Sequence, residues 1–356
     1  MNRKSMIALI LGIVAVMIVT GVLLALHHPA FGPHPFRRTN NSFTFSPHYR
    51  DGRFRNEHPT QQFTGQRSSG MAAMWNFLTD RTNERVPEKS VEIEKINLTT
   101  LPADEDWLVW FGHSSYLFCL NGQKVLVDPV LKLEFPASWM LKPFPETDIY
   151  TPEDMPDIDW LVITHEHWDH MDYATLRDLR TKVRNVICPL GISEYLRYWG
   201  YEASIIHEMD WGENFGEDVK WHCLPTRHFS NRLFGANQTL WASFLIDCGG
   251  KKIYIGGDGG YDDRFSRIQK QFGTIDLAIM ENGQYNPNWA YIHMLPADLE
   301  KAMEDLKAKS YFTVHHDKFS LAPHAWNEPD ELVLRMKEKH PDWQILDQPV
   351  GNIIRL

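Results

Sequence analysis

Basic residues are in short supply in this chain. Its 36 lysines and arginines are outnumbered by 46 aspartates and glutamates, leaving a formal charge of −10. Nucleic-acid binding generally needs a basic face for the phosphates, so this balance argues against a nucleic-acid partner. Cysteine is sparse as well. Cys119, Cys188, Cys223 and Cys248 are the only four, and none has Cys-x-x-Cys spacing. Each sits in or beside an apolar, strand-like run, which reads as a buried free thiol and not as a disulfide framework. Internal repeats and low-complexity tracts are absent too. What remains is ordinary for a globular protein: 43% hydrophobic residues over 356 positions, too apolar for disorder and long enough for one large domain or two.

One long run is wholly uncharged, Met6 to Leu26. At about 1.5 Å per residue it makes a helix roughly 31 Å long, the thickness of a bilayer's hydrocarbon core. It exceeds the ~7–15 apolar residues of a secretory signal, and the Leu-Ala-Leu-His-His that ends it is a poor cleavage site. The expectation is an uncleaved anchor, with a cleaved signal peptide as the alternative. Arg3 and Lys4 precede the run, so the positive-inside rule puts the N-terminus in the cytoplasm. Arg37 and Arg38 on the far side reduce that asymmetry. The rest of the chain is then extracytoplasmic, in the periplasm where the cell has one.

Three regions follow: residues 1–30 as anchor, 31–100 as linker and wrapping segment, and 101–356 as the main folded domain. The middle region is rich in Pro, Asn, Arg and aromatics, with little periodicity. From Trp107 the pattern changes. Trp107–Phe118 and Lys124–Val127 read as adjacent strands around an Asn121-Gly122 turn. Further strands are expected at Trp160–Ile163, Asn185–Ile187, Val219–Leu224, Leu240–Asp247, Lys252–Ile255, Asp276–Met280 and Tyr311–Val314. Helices are expected at Asp172–Leu179, Ile192–Trp199, Phe265–Phe272, Pro296–Ala308 and Glu328–Lys339. Hairpin-ordered strands come first, then strands alternating with helices, giving an α/β domain whose apolar strands are covered by helices.

Seventeen histidines are more than packing needs in a chain this size, so their placement matters. The strand ending at Ile163 runs into Thr164-His165-Glu166-His167-Trp168-Asp169-His170. In extended chain His165 and His167 point to the same side and can reach one metal ion, while Asp169 and His170 diverge towards a second. Burying so many ligand-type side chains without a cation would be costly. His228, Asp258 and His315 each lie just past the end of an expected strand, and glycines flank Asp258. Taken singly each has a bland reading, as a surface histidine, a turn residue and a strand-end residue. Beside the 165–170 cluster they complete a metal site.

The run His-x-His-x-Asp-His, with His228, Asp258 and His315, resembles the five-motif signature of the metallo-β-lactamase superfamily. Within it, Trp-Phe-Gly-His-Ser at 110–114, Val-Asp-Pro at 127–129, Leu-Pro-Thr-Arg-His-Phe-Ser-Asn-Arg at 224–232, Gly-Gly-Asp-Gly-Gly-Tyr at 256–261 and Val-His-His-Asp-Lys-Phe at 314–319 are similar to the branch containing N-acyl-phosphatidylethanolamine-hydrolysing phospholipase D. The resemblance spans roughly residues 50 to 335. It implies a four-layer αββα sandwich and two metal ions. His165, His167 and His228 would hold the first, Asp169, His170 and His315 the second, and Asp258 would bridge. Alignment with the motif, not periodicity, selects His315 over His316. Asp258 argues against the true β-lactamases with cysteine there, and His167 against the di-iron oxygen-reducing branch with glutamate there.

Histidine and carboxylate ligands suit Zn2+, with Mn2+ or Fe2+ also accommodated. Two such ions about 3.5–4 Å apart can share a hydroxide and direct it at phosphorus or a carbonyl carbon. The leading expectation is a phospholipase D-like phosphodiesterase acting on a lipid or small-molecule, membrane-proximal phosphodiester; the alternative is a lactonase or other carbon-ester hydrolase. His293 is the candidate proton donor or phosphate contact, since its position resembles a functional histidine of the phospholipase branch, and Asp169 is the second candidate catalytic group. His113 reads as orienting a ligand or strand from behind. The apolar loop 131–145 reads either as a lipid-facing lip beside the site or as packing beneath the N-terminal wrap.

Overall fold

The run Tyr116–Leu120 is buried at every position, which a strand achieves only with cover on both faces. The computed structural model, which describes residues 3–33, 43–65, 84–232 and 235–356, shows that cover. Tyr116, Phe118 and Leu120 enter a core shared by two sheets, while Leu117 and Cys119 point outward beneath helices. Burial of this kind stabilises by roughly 1.5–3 kcal/mol per large apolar side chain.

Strands are numbered along the chain. A small hairpin, β1 (Tyr49–Arg50) and β2 (Arg53–Phe54), comes first. One sheet takes β3 (Trp107–Trp110), β4 (Tyr116–Leu120), β5 (Gln123–Val127), β6 (Ile158–Val162), β7 (Val183–Pro189) and β8 (Ile206–Met209). The other takes β9 (Asn214–Phe215), β10 (Val219–Leu224), β11 (Ser243–Cys248), β12 (Lys251–Ile255), β13 (Leu277–Glu281), β14 (Ser310–Val314) and β15 (Gln344–Ile345). The last strand, β16 (Ile353–Arg355), returns to pair with β3 at the edge of the first sheet.

Both sheets share one plan. From β16 the first runs antiparallel through β3 and β4 to β5, then parallel through β6 and β7 to β8. From β9 the second runs antiparallel to β12, then parallel to β15. Helices Tyr173–Leu179 and Ile192–Tyr198 contribute to the outer core of the first sheet. Helices Arg264–Phe272, Pro296–Leu306 and Glu328–Lys339 do the same for the second. The result is a mixed α/β sandwich of four layers.

Local sequence explains the helices. Asp172 caps its helix by accepting from the Thr175 amide at 2.8 Å. Pro296 stands in a first turn, where its missing N–H costs nothing. Leu299, Ala302, Met303 and Leu306 form the buried stripe expected at helical spacing.

One expected strand is split. Trp107–Phe118 is interrupted at residues 111–115 by a reversal in which Gly112 and His113 take positive φ (79° and 53°), so β3 and β4 form a hairpin with Trp110 opposite Tyr116. The interruption is hidden in the sequence because Phe111 is apolar and buried like its strand neighbours. Short edge strands β8, β9, β15 and β16 also went unread, being too brief for periodicity. All four cysteines are buried and free.

The helix Arg3–Leu26 is, among the described residues, the one long and apolar enough to cross a membrane, and its span Ser5–Leu23 has no cover from the domain. The chain after it is not a free linker. Pro29–Phe31 forms a short helical turn with Ala30 and Phe31 buried, and Phe31 packs edge-on against Trp168 at 5.4 Å.

Candidate metal centre

Parallel pairing aligns the C-terminal ends of several strands. Val127 sits opposite Val162, Ile255 opposite Ile279, and Glu281 opposite Val314. Open α/β architectures gather their sites just beyond such ends. Here β6 delivers residues 164–170, β12 delivers 256–261, β13 ends on Glu281, and β14 is followed by His315. The segment after β10 adds His228, and the β3–β4 reversal adds His113.

Three imidazoles form a first group. His167 Nδ1 lies 2.9 Å from His165 Nε2 and 3.2 Å from His228 Nε2. The far nitrogens are engaged: His228 Nδ1 donates to the Ile292 carbonyl at 2.8 Å, and His165 Nδ1 lies 3.0 Å from the Thr164 hydroxyl. For His228 that bond sets the tautomer and leaves Nε2 with its lone pair. Burial, reinforced by neighbouring imidazoles, holds His165 and His228 well below the usual histidine range. Burial also pulls His167 down to about 4. All three are therefore neutral at neutral pH, the form that binds a metal ion.

Asp169, His170 and His315 form a second group, joined by His113. Asp258 lies between the two groups. Its Oδ2 is 3.2 Å from His170 Nε2 and 3.9 Å from both His165 Nε2 and His228 Nε2. Its Oδ1 is 3.0 Å from His315 Nδ1. Burial pushes Asp169 and Asp258 up, but the surrounding histidines together outweigh it, His170 foremost with His113 and His315 beside Asp169 and His315 beside Asp258, and leave both well below the carboxylate range. His170 shows the converse. Burial alone would lower it, yet Asp258 and Asp169 raise it well above an ordinary histidine.

The donor set fits a pair of divalent cations. Asp258 Oδ1 and His170 Nε2 are buried and make no hydrogen bond despite their close neighbours, and the carboxylates favour a positive charge at that point strongly enough to keep a proton there. Nitrogen and carboxylate donors in two adjacent groups with one shared carboxylate match the requirements of such ions.

Supporting residues are as ordered as the donors. Asp128, not singled out beyond its motif, faces His170 Nδ1 at 2.8 Å and accepts from the Thr164 amide and hydroxyl at 2.8 and 2.6 Å. It orients that ring from behind. His113 Nε2 lies 2.9 Å from Asp169 Oδ2, and burial with the nearby His315 pulls His113 down to about 3, so the neutral ring donates to the carboxylate. Its backbone also holds the His315 segment, exchanging bonds of 2.7 and 2.9 Å with His316 and His315. His113, Asp128 and His315 all adopt positive φ, uncommon for non-glycine residues and frequent where function imposes the conformation. Glycines around Asp258 serve close approach. A Cβ on Gly259 would meet Thr226 Oγ1 at 2.0 Å, and one on Gly260 would meet the Tyr291 backbone at 2.4 Å.

His293 reaches the same place. Its Nδ1 faces Glu281 Oε2 at 3.1 Å, and its ring centre is 5.1 Å from that of His228 and 5.6 Å from that of His315. Glu281 escaped the sequence reading because a lone acidic residue ending an apolar strand carries no pattern of its own. The loop 131–145 divides. Leu141, with Val130 just before the loop, packs on Phe319, which touches His113. The loop's tip exposes Phe135, Trp139 and Met140, Trp139 to 80%.

Residues 123–316 match the Beta-lactamase superfamily domain. The chain belongs to the metallo-β-lactamase superfamily of metal-dependent hydrolases. An uncharacterized protein of Mycobacterium tuberculosis is 34% identical over 82% of this chain and 80% of its own length. An N-acyl-phosphatidylethanolamine-hydrolyzing phospholipase D of Caenorhabditis elegans is 27% identical over 67% of this chain and 73% of its own length. Among solved structures, the metallo hydrolase Igni18 of Ignicoccus hospitalis superposes with a TM-score of 0.52 at 18% identity, covering 70% of this chain and 98% of that one. The last likeness speaks for the fold alone.

Proposed function

We propose that this hydrolase is a phosphodiesterase of the phospholipase D type, working with two divalent ions, zinc foremost, on a lipid or other membrane-proximal phosphodiester. The observation that carries the reading is His293, held against Glu281 on the rim of two donor groups that share Asp258. Burial lowers His293, but the Glu281 carboxylate, joined by the more distant charges of Asp258 and Asp169, outweighs it and raises the ring above the ordinary histidine range. With Nδ1 turned to Glu281, Nε2 is its other proton position, and a protonated ring there suits a phosphate oxygen or a leaving group. The likeness to the C. elegans phospholipase supports the same class.

When bound, such ions supply Lewis-acid polarisation of a phosphoryl oxygen and a lowered pKa for water. His165, His167 and His228 would hold the first, and Asp169, His170 and His315 the second, with Asp258 shared. The protein's own part is positional. Asp128 and Thr164 fix His170, His113 fixes Asp169, and Glu281 keeps His293 oriented and charged.

The helix Arg3–Leu26 serves in this reading as a membrane anchor, with the domain outside the cytoplasm. The His28 ring meets Phe135 at 5.6 Å and Tyr173 at 5.8 Å, so the exposed tip with Trp139 and Met140 adjoins the point where the helix joins the domain. Aromatic side chains favour the headgroup level of a bilayer. The test is a substrate panel on zinc-loaded full-length protein in detergent, comprising bis(p-nitrophenyl) phosphate, N-acyl phosphatidylethanolamine and lactones. Metal-dependent turnover of the phosphodiesters is expected. Turnover of lactones alone would overturn the assignment in favour of a carbon-ester hydrolase.

A further inference from the structure

The strand β14 ends at Val314, and His315, at a positive φ of 79°, and its neighbour His316 serve different parts of the structure. His315 faces the donor cluster. His316 instead lines a separate cavity of about 420 Å³ between β14, the helix Glu328–Lys339 and the segment around Val91. His316 is 4% exposed, and its ring is held 4.7 Å from that of Trp110 with Nε2 3.4 Å from Thr313 Oγ1. That leaves Nδ1 aimed at two carboxylates, Asp317 Oδ1 at 3.3 Å and Asp330 Oδ1 at 3.5 Å. Neither contact has hydrogen-bond geometry. His316 Nδ1 and Asp317 Oδ1 are both buried and without a hydrogen bond. Asp347 lines the same cavity, with its charge met from outside by Lys337 at 3.1 Å. Among the described residues, no lysine or arginine lines the cavity itself.

These spacings have a simple geometric meaning. Around a four-coordinate ion with donors about 2.0–2.1 Å away, neighbouring donors stand roughly 3.3 Å apart and each lies off its neighbour's lone-pair axis. A pair hydrogen-bonded along that axis would be closer, at about 2.7–2.9 Å for a charge-assisted bond. We propose that His316, Asp317 and Asp330 form a further divalent-cation site, distinct from the donor groups around Asp258 and of the nitrogen-and-carboxylate type that takes zinc or manganese. Asp330 is 43% exposed, so the site opens to solvent on that side. Such an ion ties the first turn of the helix Glu328–Lys339 to the loop that carries His315, bracing that loop from behind.

Chelated full-length protein is reloaded with excess zinc, desalted and analysed for metal, beside Asp330→Asn and Asp317→Asn. The expected result is one zinc equivalent per chain fewer in each variant than in the natural protein, with turnover of a soluble phosphodiester retained by Asp330→Asn. Crystals of the loaded natural protein should show an anomalous zinc peak between His316 and Asp330. Equal zinc content in the natural protein and both variants would overturn the proposal. So would an anomalous map with peaks at the Asp258 centre and none at His316. Because the count is a difference between variants, it stands whatever the substrate or stoichiometry of that centre.

Discussion

Glu281 Oε2 lies 3.1 Å from His293 Nδ1, while Glu281 Oε1 accepts from the Met294 amide at 2.7 Å and the Gly259 amide at 3.2 Å. One buried carboxylate thus couples the candidate proton donor to the glycine loop that presents Asp258. If His293 acts as an acid, His293→Ala should lower kcat/KM on a phosphodiester by about 10²–10⁴-fold with metal content unchanged. Glu281→Gln keeps an acceptor for the amides but removes the charge that raises His293. The ring then loses its proton at lower pH, so the alkaline limb of kcat/KM should move to lower pH. An unmoved limb would make Glu281 merely structural.

Asp258→Ala should abolish turnover in a folded protein and reduce bound metal, because among the described residues Asp258 is the carboxylate that lies between the two donor groups. Near-normal turnover in a metal-loaded variant would remove Asp258 from the chemistry. A companion measurement concerns protons. Without a cation, His170 is kept protonated at neutral pH by Asp258 and Asp169 against the pull of burial. Metal binding needs its lone pair, so loading at pH 7 should release a proton. Zinc titration by calorimetry in two buffers of different ionisation heat reads that release, and buffer-independent heats would contradict it.

Much of this centre was legible in the chain, for a physical reason. Metal donors must be polar, and after a buried strand such as β6 a dense polar run has no bland explanation. His228, Asp258 and His315 were readable because each lies within four residues of the end of an apolar strand. The supports were harder to see. Asp128 and Glu281 orient His170 and His293, partners 42 and 12 residues away, and pairing across such distances leaves no periodic trace. The split of Trp107–Phe118 was hidden because its reversal is buried. The equivalence of the two sheets, antiparallel then parallel in each, lies in hydrogen bonding that no sequence repeat records.

The tip of the 131–145 loop gives a separable test of membrane contact. Trp139 is 80% exposed, so Trp139→Ser should change stability by no more than about 0.5 kcal/mol. Turnover of a soluble phosphodiester should stay at the natural rate, while turnover of phospholipid in vesicles falls several-fold as an interfacial aromatic is lost. Equal losses on both substrates would place Trp139 in folding or catalysis and not at a lipid surface.

The junction between helix and domain sets where the anchor can be cut. Residue 30, the boundary read from the sequence, falls inside packed structure. The Pro29 carbonyl accepts from Trp199 Nε1 at 2.9 Å, and the Ala30 carbonyl accepts from Arg232 Nε at 2.7 Å. Arg232 also donates to the carbonyls of Glu166 and Met171 at 2.8 and 2.9 Å and lies 3.9 Å over the Trp168 ring. It thereby clamps the loop that bears His165 to His170. Removing Ala30 leaves a buried guanidinium donor unpaired, a cost of about 1–3 kcal/mol, and removing Phe31 uncovers Trp168 as well. A chain beginning at His27 should therefore be soluble without detergent and turn over a soluble phosphodiester at the full-length rate. One beginning at Gly32 should melt several degrees lower and retain metal less well through dialysis. Equal melting temperatures and equal metal retention in the two truncated chains would show that the strap contributes nothing to the metal loop.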